Sequence, residues 1–185
     1  MTDKPTVVID ASQLFSKIAA LKEGTKAAPF LMAIGLRLMG WVDQHFRNPV
    51  NPTWAPLRPN TIASRRKGGG GAKPLQDTGR LRMSWTRAAG NPHIFGDHTV
   101  QVTSNVTYAP FHEFGTKPYV IRPKRPGGRL RFMTADGPRF AGMVRHPGVP
   151  ARPMAPPAAV AERLAVDTME AALAKLVKMN KAAGT

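Results

Sequence analysis

The sequence predicts an α+β fold: an antiparallel β-sheet, a meander with a hairpin, packed by N-terminal helices and a long C-terminal helix, with an extended basic loop. Three observations carry this reading. Apolar residues at helical spacing are confined to residues 10–48 and 158–180. Short stretches rich in β-branched and aromatic residues, some alternating, fill residues 81–145. The 17 glycines and 18 prolines fall mostly between residues 48 and 157, so the middle is rich in turns. A chain of 185 residues supports one sizeable core, and residues 1–185 are read as a single domain.

The elements follow in order. In "IDASQLFSKIAALKEG", Asp10 is a candidate N-cap with Gln13 three residues on, Leu14, Ile18 and Leu21 share one face, and Gly24 is the stop. A second helix is expected from about Thr25, with Pro29 in its first turn and a stripe of Phe30, Ile34, Leu38, Trp41 and Val42, ending at Asn48-Pro49. Residues 49–80 have no sustained periodicity. Within them "RRKGGGGAKP" combines four glycines with four cations and reads as a mobile basic arm. From Leu81, "RMSWTRA", "HTVQVTS" and "VTYAPF" read as antiparallel strands, and "GRLRFMTADGPRFAGMV" as a hairpin about an Asp136-Gly137 turn. After the Pro-rich linker 146–157, residues 158–180 form an alanine-rich helix with Val166, Met169, Leu173, Leu176 and Val177 along one side. Its acids come early and its lysines late, as the macrodipole favours.

The formal charge of +16 is unevenly placed. From Arg47 to Arg152 there are 18 Lys plus Arg against 4 Asp plus Glu, giving +14. Such a field self-repels and attracts polyanions, acidic protein surfaces or neighbours that supply carboxylates. With no cysteine, disulfides and thiolate metal sites are excluded, as suits a reducing compartment. The N-terminus lacks the order of a signal peptide, and the longest uncharged apolar run, Ala27 to Leu36, is half of what a spanning helix needs, so a soluble chain without membrane contact is expected.

Each motif that resembles chemistry has a simpler reading beside it. Asp77-Thr78-Gly79 is the triplet that carries the catalytic carboxylate of aspartic proteases, but Gln76 precedes it and Arg80 follows, where two carboxylates sharing a proton need an apolar strand and a small residue. The simpler reading is a turn in which Asp77 or Thr78 caps a short segment through Leu81. His112-Glu113 in "YAPFHEFGT", read as neighbours on a strand, would point to opposite faces and not converge on one proton or metal. His93, Asp97 and His98 in "HIFGDH" read as a polar turn. "KGGGGAK" lacks the Gly-Lys-Ser/Thr ending of a phosphate loop. No catalytic residue, metal site or cofactor is assigned. The basic arm with "IRPKRPGGRLRF" is also suited to tracking a phosphate backbone, with Trp85, Tyr108, Phe111 and Tyr119 near for stacking.

Four segments in order, "WAPLRPNTI" (54–62), "LQDTGRLRMSW" (75–85), "YAPFHEFGT" (108–116) and "HPGVPARPM" (146–154), resemble the phage virion morphogenesis proteins, also called tail-completion proteins or protein S-like, and their sister group of head-tail joining proteins. The resemblance covers roughly residues 10–175. It places signature residues at Trp54, Pro56, Leu57 and Thr61; at Leu75, Thr78, Gly79 and Leu81; at Tyr108, Ala109, His112, Phe114 and Gly115; and at Pro150, Ala151, Arg152 and Pro153. Where protein S-type members carry an Asp-Gly turn ahead of the Trp, this chain has "NPVNPTW", and its "IRPKRPGGRLRF" with "VRHPG" is closer to the sister group. Both branches therefore stay open.

The resemblance implies a non-catalytic subunit of a homo-oligomeric ring, a hexamer by family likeness, at the head-proximal end of a phage tail. Its implied partners are the tail tube or tail terminator and the head-tail connector proteins, with assembly in the host cytoplasm and residence in the virion. On this reading His112 makes a structural hydrogen bond, Gly115 serves a strand end, and Tyr108, Phe111 and Phe114 pack on the adjoining sheet. Arg65, Arg66, Lys67 and Lys73, with Arg122, Lys124, Arg125 and Arg129, are expected to meet acidic surfaces of neighbouring subunits or neck proteins, or DNA passing through the ring. Glu113 is the candidate intersubunit partner for an arginine. The alternatives are a basic nucleic-acid-binding module and an aspartic protease.

Overall fold

A computed structural model describes residues 4–12, 27–50, 53–63, 65, 72–87, 91–95, 98–134 and 137–183. The fold is α+β, with small antiparallel sheets and a long C-terminal helix. In chain order the elements are β1 (Thr6–Asp10), α1 (Ala28–Arg47), α2 (Pro59–Ala63), α3 (Arg80–Thr86), β2 (His93–Phe95), β3 (Thr99–Thr103), α4 (Ala109–Glu113), β4 (Tyr119–Ile121), β5 (Leu130–Thr134), β6 (Gly137–Ala141), β7 (Val144–His146) and α5 (Ala158–Ala183).

The core lies between one three-stranded sheet and the helices α1, α3 and α5. In the sheet, ordered β1-β3-β2, Val7 pairs with Val102 and Ile9 with Val100. The period of two puts all four on the buried face and leaves Val8 outside. Helix α1 starts with Pro29 in its first turn, where the missing N–H costs nothing, and buries Phe30, Leu31, Ile34, Leu38, Val42 and Phe46. Leu31, Ile34 and Leu38 are fully buried, and each contributes about 1.5–3 kcal/mol. Helix α5 closes the other side through Ala161, Ala165 and Met169.

Several expectations need correction. Asp10 ends a strand that pairs with β3, and its Oδ1 accepts from the Ser12 N–H at 2.9 Å, the bond a capping carboxylate makes. The helix expected beyond it falls on residues 13–26, outside the described residues. Of "RMSWTRA", residues 82–86 lie in helix α3 and not in a strand, because Leu81, Ser84 and Trp85 follow the helical i, i+3, i+4 spacing and all three are buried. Short helix α2 interrupts the supposedly irregular 49–80 stretch. The expected single meander is three separate sheets. In the hairpin Gly137 pairs with Thr134, so it belongs to the ladder and not to the turn expected there, while Asp136 lies outside the described residues. On α5, Val166 and Val177 are exposed, since the face turned to the core runs through Ala161, Ala165 and Met169.

The stretch 108–116 is the largest correction. It is helix α4, with Pro110 in its first turn, and not a strand ending at Gly115. Tyr108, Phe111 and Phe114 are exposed rather than packed on a sheet. As successive residues of a helix, His112 and Glu113 still point apart, but for a different geometric reason.

Beyond α4 the chain leaves the body as a two-stranded ribbon. Its base is β4 paired with β7 (Tyr119↔His146, Ile121↔Val144), and further out β5 pairs with β6. Each of these pairs makes its substantial contacts only internally.

Candidate functional site

The four signature segments, far apart in sequence, converge on one open groove of about 800 Å³. Pro56, Leu57 and Thr61 form one wall, Leu75 and Thr78 the next, Tyr108 and His112 a third, and Pro150 with Arg152 the last.

Backbone acceptors knit these walls. The Pro153 carbonyl accepts the Trp54 indole N–H at 2.8 Å and lies 3.2 Å from His45 Nε2. Trp54 packs edge-on against Phe46 and His45, and Trp41 stacks on His45 at 4.7 Å. Burial pulls the His45 imidazole below its ordinary value, against the smaller upward effect of its bond to Pro153. Arg152, buried at 8% exposure, donates from Nη2 to the Ala55 carbonyl at 3.2 Å, and its backbone N–H donates to the His112 carbonyl at 2.6 Å. The guanidinium thus ties the "WAPL" and "PARP" segments together.

Glu113 faces the opposite side of α4 and is buried at 8% exposure. Its Oε2 accepts the Met154 N–H at 2.7 Å, and both carboxylate oxygens lie 3.4 Å from the Ala155 N–H. Burial raises its pKa, and the two backbone donors oppose that rise. The acid expected to reach a neighbour's arginine is therefore engaged inside its own chain, at the entry to α5.

His112 does not behave as expected either. Its Nδ1 is buried with no hydrogen-bond partner, and the ring meets Tyr108 edge-on at 6.0 Å. Burial first, then the positive charge of Arg152, holds it below the ordinary imidazole value. It lines the groove wall and makes no structural bond through Nδ1.

Two glycines let the loops cross. Gly115 has φ +73°, and a Cβ there would stand 2.8 Å from the Val149 carbonyl oxygen and 2.9 Å from the Ala151 nitrogen. Opposite it, a Cβ on Gly148 would collide with the Thr116 carbonyl. The crossing is closed by Thr116 N–H to the Val149 carbonyl at 2.9 Å and Val149 N–H to Thr116 Oγ1 at 2.8 Å. At the far rim Leu75 holds a left-handed φ of +59°, and the adjacent Gln76 amide donates to the Phe46 carbonyl.

The Asp77-Thr78-Gly79 turn leads into α3, with Gly79 at φ +72° and Thr78 Oγ1 3.4 Å from the Arg80 nitrogen. The turn expected from the simpler reading is there, but the N-cap of α3 is Gly79 and no side chain caps the helix, so neither Asp77 nor Thr78 has the capping role. Among the described residues no group of three His, Asp or Glu is placed to hold a metal, and no helix is long and apolar enough to cross a membrane.

Of the described cations expected to meet partners, all but Arg65 fall outside this groove. Arg65 lines the groove and Lys73 is exposed, while Arg66 and Lys67 lie outside the described residues. Arg122, Lys124, Arg125 and Arg129 are exposed on the ribbon, and three of them, Arg122, Arg125 and Arg129, surround a second hollow of about 630 Å³ beside Phe140. Sequence reasoning missed the inward roles of Glu113, Arg152 and His45. The one signal available was an acid set among apolar residues in a basic region, which marks a need for donors without identifying them.

The model of the phage virion morphogenesis family matches residues 9–174. No curated protein and no solved structure matches the chain.

Proposed function

We infer the role of this chain from its kinship: it belongs to the phage virion morphogenesis family and serves phage assembly. Within that role the reading we favour is a non-enzymatic connector that completes the tail and mediates head-tail joining, as a subunit of a homo-oligomeric ring at the head-proximal end. Its partners on this reading are further copies of itself and the tail tube or terminator and head-tail connector proteins.

The observation that carries it is the use of the signature residues. Trp54, Arg152, Gly115 and Pro153 are spent on fixing one loop crossing, and that crossing roots a basic ribbon with exposed aromatics beyond the body. A scaffold that invests its motifs in aiming a protruding arm suits assembly better than turnover. The experiment is localisation. Immunogold labelling of purified particles is expected to place the protein at the neck, and deletion of residues 65–74 is expected to lower the yield of joined particles. Unlabelled particles, with tails joined normally in the absence of the protein, would overturn the reading.

One observation favours a second reading, a nucleic-acid-binding module: the arginines around the hollow beside Phe140 have the charge to hold phosphates. That reading predicts retention on DNA that falls with salt by about one unit of log-log slope per phosphate neutralised.

A further inference from the structure

The ribbon of residues 117–146 carries eight Lys and Arg against Asp136 alone, giving +7 of the chain's +16. Its outer pair, β5 and β6, has solvent on both faces. Phe132 is 42% exposed and Phe140 57%. The register sets Phe132 opposite Arg139 and Arg131 opposite Phe140, so each face presents one aromatic and one cation side by side. An isolated two-stranded hairpin is marginal in water, and one with two such faces needs a cover that is both apolar and acidic. A phosphate backbone offers the charge without the apolar surface.

The chain holds a surface of that kind. Of the acids whose exposure is described, Asp43 and Asp77 are half-buried and Glu113 is buried. The exposed ones are Asp10, already bonded to Ser12, and three on α5: Glu162, Glu170 and Asp167, the last in a long, exposed 3.9 Å pair with Arg163 of the same helix. On α5, Glu162, Val166 and Glu170 recur at i, i+4 and i+8 and so form one stripe, with Asp167 beside it. Val166 is exposed at its centre. The stripe spans about 12 Å at the helical rise, and the five residues of β5 span about 14 Å. The ribbon makes no substantial contact with α5 of its own chain.

We propose that the basic β-ribbon of one copy docks on the acidic, apolar stripe of α5 of a second copy, Phe140 or Phe132 covering Val166 while the arginines flank Glu162, Asp167 and Glu170. The patch given differs from the patch received, so the contact is heterologous and propagates from copy to copy. This rests on the assembly reading above and supplies it with an interface.

The test is a charge swap followed by sedimentation of the full chain. Arg122→Glu, Arg125→Glu and Arg129→Glu together, or Glu162→Lys, Asp167→Lys and Glu170→Lys together, are each expected to weaken self-association by at least about tenfold, since like charges are then opposed. Both sets combined in one chain restore it. Because the chain has no cysteine, Phe140→Cys with Val166→Cys treated with a short bis-maleimide is expected to give a ladder of covalent multimers, and Phe140→Cys alone no species beyond a dimer. The altered side chains are exposed, so an unchanged melting curve certifies the fold of every variant.

A wild-type chain that stays monomeric, or helix reversals that leave association intact, would overturn the proposal. Arm reversals that abolish DNA retention but not association would do the same, and would give the ribbon to nucleic acid. If the swap fails while labelled protein still sits at the neck, only this interface falls; if neither association nor labelling is found, the connector reading falls with it.

Discussion

Replacing Glu113 with alanine probes the join between α4 and α5. In the folded chain its carboxylate satisfies the buried Met154 N–H at 2.7 Å, while the 3.4 Å contacts to Ala155 N–H add little. A hydrogen bond to a charged group contributes about 1.5–3 kcal/mol, and its loss here leaves a buried donor unsatisfied. Relief of the carboxylate's own burial offsets part of this, so the net loss is about 2–3 kcal/mol. For a chain of this size that lowers Tm by about 4–12 °C in a calorimetric melt. Glu113→Gln keeps an acceptor oxygen for the same N–H and is expected to lose less, about 1 kcal/mol.

Because burial raises the Glu113 pKa, the folded state holds its proton to a higher pH than the unfolded state does. The stability this confers is fully present below the unfolded value, about 4.5, and is lost as pH rises through the folded one. The stability of the native chain relative to Glu113→Gln should therefore fall as pH rises across that window. An alanine variant melting within about 1 °C of the native chain would refute the assigned role of this carboxylate.

Three further outcomes are expected. Gly115→Ala forces a side chain into a left-handed conformation against backbone atoms of Val149 and Ala151, and should cost upwards of about 2 kcal/mol by chemical denaturation. Trp54→Phe keeps the edge-on packing but drops the bond to the Pro153 carbonyl, for a loss of about 1 kcal/mol, measured the same way. His45 and His112 have pKa values lowered by burial, so the stability they contribute is present above about pH 6.5 and lost as pH falls through their folded values; NMR titration of the two rings checks it.

Long periodic patterns decided much of the fold before any tertiary contact. The stripe of α1 and the long helix α5 emerged at their residues because amphipathic spacing over many turns admits one period only. Short segments did not. "RLRMSWT" and "APFHE" have β-rich or aromatic composition but fold as helices. Trp85 gains full burial against α1 and β3 from one, and Pro110 in a first turn starts the other. The Leu81, Ser84 and Trp85 spacing and the Ala-Pro start were legible signals in favour of helix. The strand "TVVID" was equally legible from its β-branched run.

The sequence by itself determined the class, the charge imbalance, the family signature and the two long helices, since each follows from composition or from local periodicity. Only the tertiary structure decided that four distant signature segments close one groove, that Glu113 and Arg152 turn inward to backbone partners, and that the cations of 117–146 ride on a ribbon clear of the core. The physical reason is that a buried polar group is defined by the donors and acceptors that the whole fold brings to it, and these lie about forty to a hundred residues away along the chain.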